Sequence, residues 1–366
     1  MLNLRSMTFK YMEKNMNVKK IIAGAAILLA LTSSLFAKAK KSDKLKVVTT
    51  IFPEYDWTRE IIGDNEKNVE LTLLLGNGVD LHSYQPSIQD IAKISTADIF
   101  IYVGGESDGW VKDALKNAKN KNMKIINLLE TLGDKVKAEE VKEGMQAEEE
   151  EEHEHHHDGD HHDDEDENED HDHEAEGHHH HHDDEDEVEY DEHVWLSLRN
   201  AKILSAEIAA ALSEKDATNA TAYKANLAAY TARLDALDAK YAAAVKAGSK
   251  KTILFGDRFP FRYLVDDYGL DYFAAFVGCS AETEASFETV IFLAKKVDEL
   301  GLNTVLKIES GDGKIARTIV QNTKKKNARV LTMDSIQSTT AKQAAAGTSY
   351  LKIMEENLAV LSEALK

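Results

Sequence analysis

The stretch DATNATAYKANLAAYTARLDALDAKYAAAVKA, residues 216–247, decides how the rest of the chain is read. Leu227, Tyr230, Leu234, Leu237 and Tyr241 recur in it at spacings of three and four, which is the apolar stripe of one long helix. No Gly or Pro interrupts it and Gly248 follows as a stop, so the pattern predicts a stiff strut over 216–247. Short apolar, β-branched runs lie on both sides, at 45–50, 70–75, 99–103 and 123–128 before it and at 252–255, 272–277, 304–308 and 328–332 after it. Helical patterns occupy 87–95, 110–120, 195–213, 286–300, 314–326 and 349–365. Such alternation implies parallel sheets, because a parallel crossover needs a connection long enough to hold a helix. The expected fold is therefore α/β, with two lobes at 40–215 and 248–366, each a parallel four-stranded sheet flanked by helices, joined by the helix at 216–247.

The formal charge of −21 is local rather than general. Residues 148–192 hold 26 of the 65 acidic residues and no Lys or Arg, and the remaining chain is nearly neutral. With no basic stripe to meet a phosphate backbone, nucleic-acid binding is excluded. The same block lacks apolar periodicity, cannot offset the entropy of ordering, and is expected to be an inserted disordered loop in the first lobe. At the N-terminus, Lys19 and Lys20 precede an uncharged run over 21–36 and then Ala37-Lys38-Ala39, the pattern of a cleaved export leader at 1–39. The run is shorter than the roughly 20 residues that span a bilayer. No cysteine ends the leader to accept a lipid, so an untethered, monomeric periplasmic product is expected. The sole cysteine, Cys279, has no internal disulfide partner and reads as a buried packing thiol.

The 15 histidines are distributed just as unevenly: 13 fall between His153 and His182, interleaved with carboxylates. Imidazole suits zinc, and neighbouring carboxylates hold imidazole rings in the ligating tautomer, so the tract is read as a set of overlapping weak zinc sites. Only His82 and His193 remain outside it. Each taken alone is better explained by a structural role, but His82 lies in VDLHSYQPS (79–87) and His193 in DEHVWLS (191–197).

These strings resemble the D-P-H-S-Y-E-P and D-P-H-V-W-L-D signatures of the solute-binding proteins of zinc and manganese ABC importers. YVGGESDGWV (102–111) resembles the family's G-x-G-x-E-x-W, and Phe261-x-Tyr263 with Tyr268-Gly269-Leu270 its F-x-Y…Y-G-L. A His/acid-rich insertion before the second ligand motif is typical of the zinc-selective branch. The resemblance implies one metal in the cleft between two α/β lobes, with His82 and His193 as ligands, delivered as Zn2+ (Mn2+ fits less well) to the membrane permease subunit of an ABC importer. The family's third His position is occupied here by Arg258, which cannot ligate a metal. Its neighbour Asp257 is the candidate replacement, with a cap or an ion pair as the alternative. Glu309 matches the family's later carboxylate, with Asp312 as its alternative. Independently of family, Asp257 and Glu309 follow strands at whose carboxyl ends α/β sheets place ligands. A metallohydrolase would use similar ligands, but no H-E-x-x-H, G-x-S-x-G or phosphate-binding loop is present, and an enzyme is not expected.

Overall fold

The computed structural model describes residues 44–146, 189–280 and 284–366. The leader at 1–39 and all 13 histidines of the tract therefore lie outside the described residues, as does Glu282. Residues Leu45–Lys366 form one compact unit built on two sheets.

The first sheet takes β1 (Leu45–Thr49), β2 (Val69–Leu73), β3 (Ile99–Tyr102) and β4 (Lys124–Asn127) in the parallel order β2-β1-β3-β4. Its helices are α1 (Phe52–Ile62), α2 (Ile88–Ser95), α3 (Val111–Lys116) and α4 (Leu128–Leu132). Two long helices follow, α5 (Leu198–Lys215) and α6 (Ala220–Ala247). The second sheet repeats the first in β5 (Thr252–Arg258), β6 (Asp271–Phe276), β7 (Thr304–Ile308) and β8 (Arg329–Met333), ordered β6-β5-β7-β8 and again parallel. Helices α7 (Arg262–Tyr268), α8 (Phe287–Leu300), α9 (Lys314–Asn322), α10 (Ala341–Ala345) and α11 (Tyr350–Ala364) accompany it. Among the described residues, no helix is long and apolar enough to cross a membrane.

The eight expected strands all form, within a residue or two of their predicted bounds except where β5 runs on through Gly256, Asp257 and Arg258. Its pairing to β6 shifts register between Phe255 and Arg258, an irregularity that re-aims the side chains at the strand's end. The predicted stripe of α6 is the buried one: Tyr230, Leu234, Leu237 and Tyr241 are sealed from solvent, and the Tyr241 hydroxyl donates to the Met354 carbonyl of α11 at 2.6 Å. Each such burial contributes about 1.5–3 kcal/mol, so α6 is fastened along its length rather than held at its ends.

Helix α1 carries no legible apolar period because its buried face includes Glu54, Asp56 and Thr58 beside Trp57 and Ile61. Those carboxylates have partners: Glu54 accepts from the Thr50 and Ile51 backbone N–H groups, and Asp56 from the Tyr350 N–H at 2.7 Å. Residues 189–192, which composition assigned to the disordered block, belong to the fold. Tyr190 bridges antiparallel to Ala138, the Asp191 N–H donates to the Lys137 carbonyl at 2.9 Å, and Asp191 and Glu192 are buried.

Candidate metal centre

The loops that bring His82 and Ser107 here leave the carboxyl ends of β2 and β3, where parallel sheets leave room for a ligand. After β2, Asp80 caps a single 3-10 turn, Leu81–Ser83, by accepting from the His82 N–H at 3.1 Å, which fixes the backbone that carries the His82 ring. After β3, Gly104 and Gly105 turn the chain in the left-handed region so that Ser107 reaches that ring. A side chain on Gly105 would run into Glu192, its Cβ only 2.3 Å from Oε1, so only glycine fits there. Ser107 Oγ lies 2.7 Å from His82 Nδ1, and its N–H donates to Glu192 Oε1 at 2.9 Å.

His193 is fully buried ahead of α5. Asp191 Oδ1 accepts from its backbone N–H at 2.8 Å and pairs with its Nδ1 at 2.9 Å, so one carboxylate sets both the main chain and the ring. Oxygen partners on both Nδ1 atoms turn the Nε2 atoms inward, His193 Nε2 towards the Gln337 amide as well as towards His82. These two nitrogens face each other at 3.2 Å across a sequence separation of 111 residues. Burial first, and then the neighbouring His193 ring, push the His82 pKa down to about 3, so the His82 imidazole is neutral and carries a lone pair at physiological pH. Two ring nitrogens at that distance hold either a shared proton or a cation between them.

The surroundings of the histidine pair are acidic. Glu139, Glu192 and His82 line a cavity of about 250 Å³ together with Ser107 and Cys279. Glu192 is 3% exposed, and its Oε2 has no hydrogen-bond partner although it stands 3.5 Å from His82 Nδ1.

The other two candidate ligands are engaged elsewhere. Asp257 accepts from the Arg258 N–H at 2.9 Å and the Ile308 N–H at 3.2 Å, tying the end of β5 to β7. Glu309 accepts from the Ser335 N–H at 2.7 Å, the Ser335 hydroxyl at 2.8 Å and the Ser338 hydroxyl at 3.0 Å. Among the described residues, the group whose potential ligand atoms all fall within 4.8 Å of one another is His82, His193 and Cys279, without either carboxylate. Asp312, ahead of α9, accepts from the Lys314 N–H at 2.6 Å. Arg258 crosses between the lobes to Asp80 Oδ2 at 2.8 Å; burial acts to raise the Asp80 pKa, but the charge and hydrogen bonds of Arg258 and His82 together hold the carboxylate below its ordinary range. With the Gln337 amide turned so that its nitrogen meets acceptors, it donates to both Asp80 oxygens at 2.8 Å and its oxygen faces His193 Nε2 at 2.5 Å, a second strap between the lobes. Trp195 is fully buried, and its Nε1 donates to the Ser335 carbonyl of the other lobe at 2.9 Å.

Residues 47–364 match the family described as zinc-uptake complex component A, periplasmic. The chain belongs to that family. The zinc-binding lipoprotein AdcA of Streptococcus pneumoniae is 31% identical over 347 residues, which cover 94% of this chain and 61% of that protein. The high-affinity zinc uptake system protein ZnuA of Bacillus subtilis is 28% identical over 348 residues, covering 94% of this chain and 96% of that one. The crystal structure of the Zn(II)-bound ZnuA-like domain of S. pneumoniae AdcA superposes with a TM-score of 0.62 at 26% identity, covering 88% of this chain and 99% of that one. The chain thus spans about three fifths of the length of the streptococcal relatives it matches.

The family names a component of a zinc-uptake complex and not an enzyme. Ser107, Glu139, Asp191 and Glu192 are not picked out by the sequence reading, and Cys279 is read there only as a packing thiol. Asp191 and Glu192 were absorbed into the acidic block, and the only available sign was their adjacency to His193. Cys279 is half-buried at the turn after β6 rather than sealed in a core, and the legible sign was its place just past a strand's carboxyl end.

Proposed function

We propose that this chain captures one Zn2+ between the Nε2 atoms of His82 and His193 in the cleft between its lobes and delivers it to the membrane permease of an ABC importer. The observation that carries the reading is the 3.2 Å separation of the two nitrogens. Zinc–nitrogen bonds of about 2.0–2.1 Å at a tetrahedral angle set neighbouring ligand nitrogens about 3.3–3.4 Å apart, so the pair needs almost no adjustment. The Nδ1 partners hold the rings in the ligating orientation, the outer arrangement that metal-binding histidines ordinarily use. Nitrogen donors favour zinc over magnesium or calcium and leave manganese as the weaker alternative. Asp257 and Glu309 take positioning roles in this reading: Asp257 fixes the end of β5, and Glu309 fixes the 335–338 segment that meets Trp195 and Asp80 from the second lobe.

The AdcA relative is named a lipoprotein, whereas no cysteine ends this chain's leader pattern, and we read it as an untethered monomer exported through a cleaved leader at 1–39. The His/acid tract gathers zinc loosely for the cleft. Zinc uptake by cells that carry the importer's membrane subunits tests the whole reading. Deleting this chain should abolish uptake at limiting zinc and resupply should restore it, while uptake unchanged by the deletion would refute delivery.

The tract has its own expected result. Removing residues 148–188 should eliminate several weak zinc equivalents seen by calorimetry at about pH 7.5, equivalents that also vanish near pH 5.5 because protonated imidazole does not ligate. The tight equivalent should persist. Unchanged stoichiometry after the deletion would rule out metal binding by the tract.

A further inference from the structure

The sole cysteine of the chain lies where a third ligand would be needed. Its sulfur, His82 and His193 form the group whose donor atoms are all within 4.8 Å of one another, and it faces the same cavity as His82. We infer that Cys279 is the third protein ligand of the cleft metal, a thiolate standing in for the histidine that Arg258 has replaced. This rests on the reading of the His82–His193 pair as the zinc site.

Three features of the fold bring the sulfur there. Gly278 packs its bare backbone against the His193 ring, where a Cβ would lie 3.0 Å from Cε1 and 3.1 Å from Nδ1; a larger residue would push the turn off the ring. Glu139 accepts from the Cys279 N–H at 3.1 Å and so anchors the turn from the first lobe. Arg258, useless as a ligand, donates to the Ser280 carbonyl at 3.3 Å while paired with Asp80, and so holds the cysteine turn against the loop that carries His82. The residue that removed a ligand thus positions its substitute.

The local electrostatics also require a cation. Glu192 is buried with one oxygen unpartnered beside His82, and Glu139 faces the same cavity, an arrangement that is costly without a positive centre. A dication bound by two neutral imidazoles displaces the thiol proton to solvent and is left with a single positive charge, which these carboxylates balance. Zinc–sulfur and zinc–nitrogen bonds of about 2.3 and 2.0–2.1 Å require the sulfur to close by at most about 1.3 Å from a 4.8 Å separation. That is the range of a side-chain rotation. A soft sulfur donor would also sharpen discrimination against manganese, for which thiolate is a poor match.

Cobalt(II) reads this directly, since thiolate-bound cobalt shows a near-ultraviolet charge-transfer band that imidazole and carboxylate sites lack. Cys279 is the only cysteine, so in the full-length protein the band has one possible source even with the tract saturated. The unaltered protein at saturating cobalt should show the band. Cys279→Ser should lose it and bind zinc at least about tenfold more weakly, with the apo melting temperature unchanged. His82→Ala together with His193→Ala should lose both the band and tight zinc binding. No band in the unaltered protein, with tight binding still dependent on the two histidines, overturns the cysteine assignment and leaves the zinc function standing. A band that survives loss of both histidines overturns the shared site itself. Should Cys279→Ser fail to fold, the spectrum of the unaltered protein decides alone.

Discussion

Replacing His82 and His193 together with Ala, in a chain from which residues 148–188 have been removed, abolishes high-affinity zinc binding. Zinc held by a full protein ligand set is bound with about 10–16 kcal/mol, and two imidazoles supply a large share of it. Their loss therefore corresponds to a weakening of at least about 10³-fold, at 1.4 kcal/mol per factor of ten. Removing the tract first is necessary, because its 13 histidines would mask the loss with weak sites. Competition against a chelator of known affinity checks the result, and circular dichroism of the apo variant checks that the lobes remain folded. Retention of one tightly held zinc by the double variant would place the metal elsewhere. His82→Ala alone should have the milder structural consequence: its ring is partly accessible, whereas His193 is fully buried and its removal strands Asp191.

Trp195→Ala should produce the largest loss of stability, about 3–5 kcal/mol, read as a shift of the urea midpoint. The indole is fully buried and lies 5.2 Å, centroid to centroid, from the His193 ring. Its Nε1–H is the donor to the Ser335 carbonyl in the second lobe, and its own carbonyl accepts from the Tyr350 hydroxyl at 2.7 Å. Truncation thus opens a cavity beside a metal ligand and releases a contact between lobes. Trp195→Phe keeps most of the packing and leaves the Ser335 carbonyl without its donor, so a cost of about 1–3 kcal/mol is expected. A loss below 1 kcal/mol for the Ala variant would show that the inter-lobe contact carries little of the fold's stability. Zinc affinity should fall in the Ala variant as well, because the His193 ring loses the surface that fixes its plane.

Much of this architecture is legible without coordinates. Strand and helix periods are local properties of side-chain spacing, so eight strands and the long α6 could be read from the residues themselves. The histidine pair stands out because His82 and His193 are the two histidines outside the tract and lie in strings that resemble the family's ligand motifs. Where the reading failed, the cause was a local pattern overruled by a distant partner. Helix α1 hides its period because its buried carboxylates are satisfied by Thr50, Ile51 and Tyr350, the last of these 294 residues away.

The site divides in the same way. Sequence alone determined which residue types are available to a metal and on which strand ends they sit. Only the tertiary structure decided which of them converge, because a side chain's direction past a strand end depends on bulges, turns and the packing of the opposite lobe. Asp257 and Glu309 occupy the expected strand ends, yet their oxygens are taken by backbone and hydroxyl donors of β7 and of the 335–338 segment. Cys279, unremarkable as a single thiol in the chain, is carried to the imidazoles by a glycine that can lie flat on His193 and by an arginine that bridges the lobes. Residue spacing specifies elements because their hydrogen bonds are local; it does not specify a cleft, whose walls are set by contacts between residues more than a hundred positions apart.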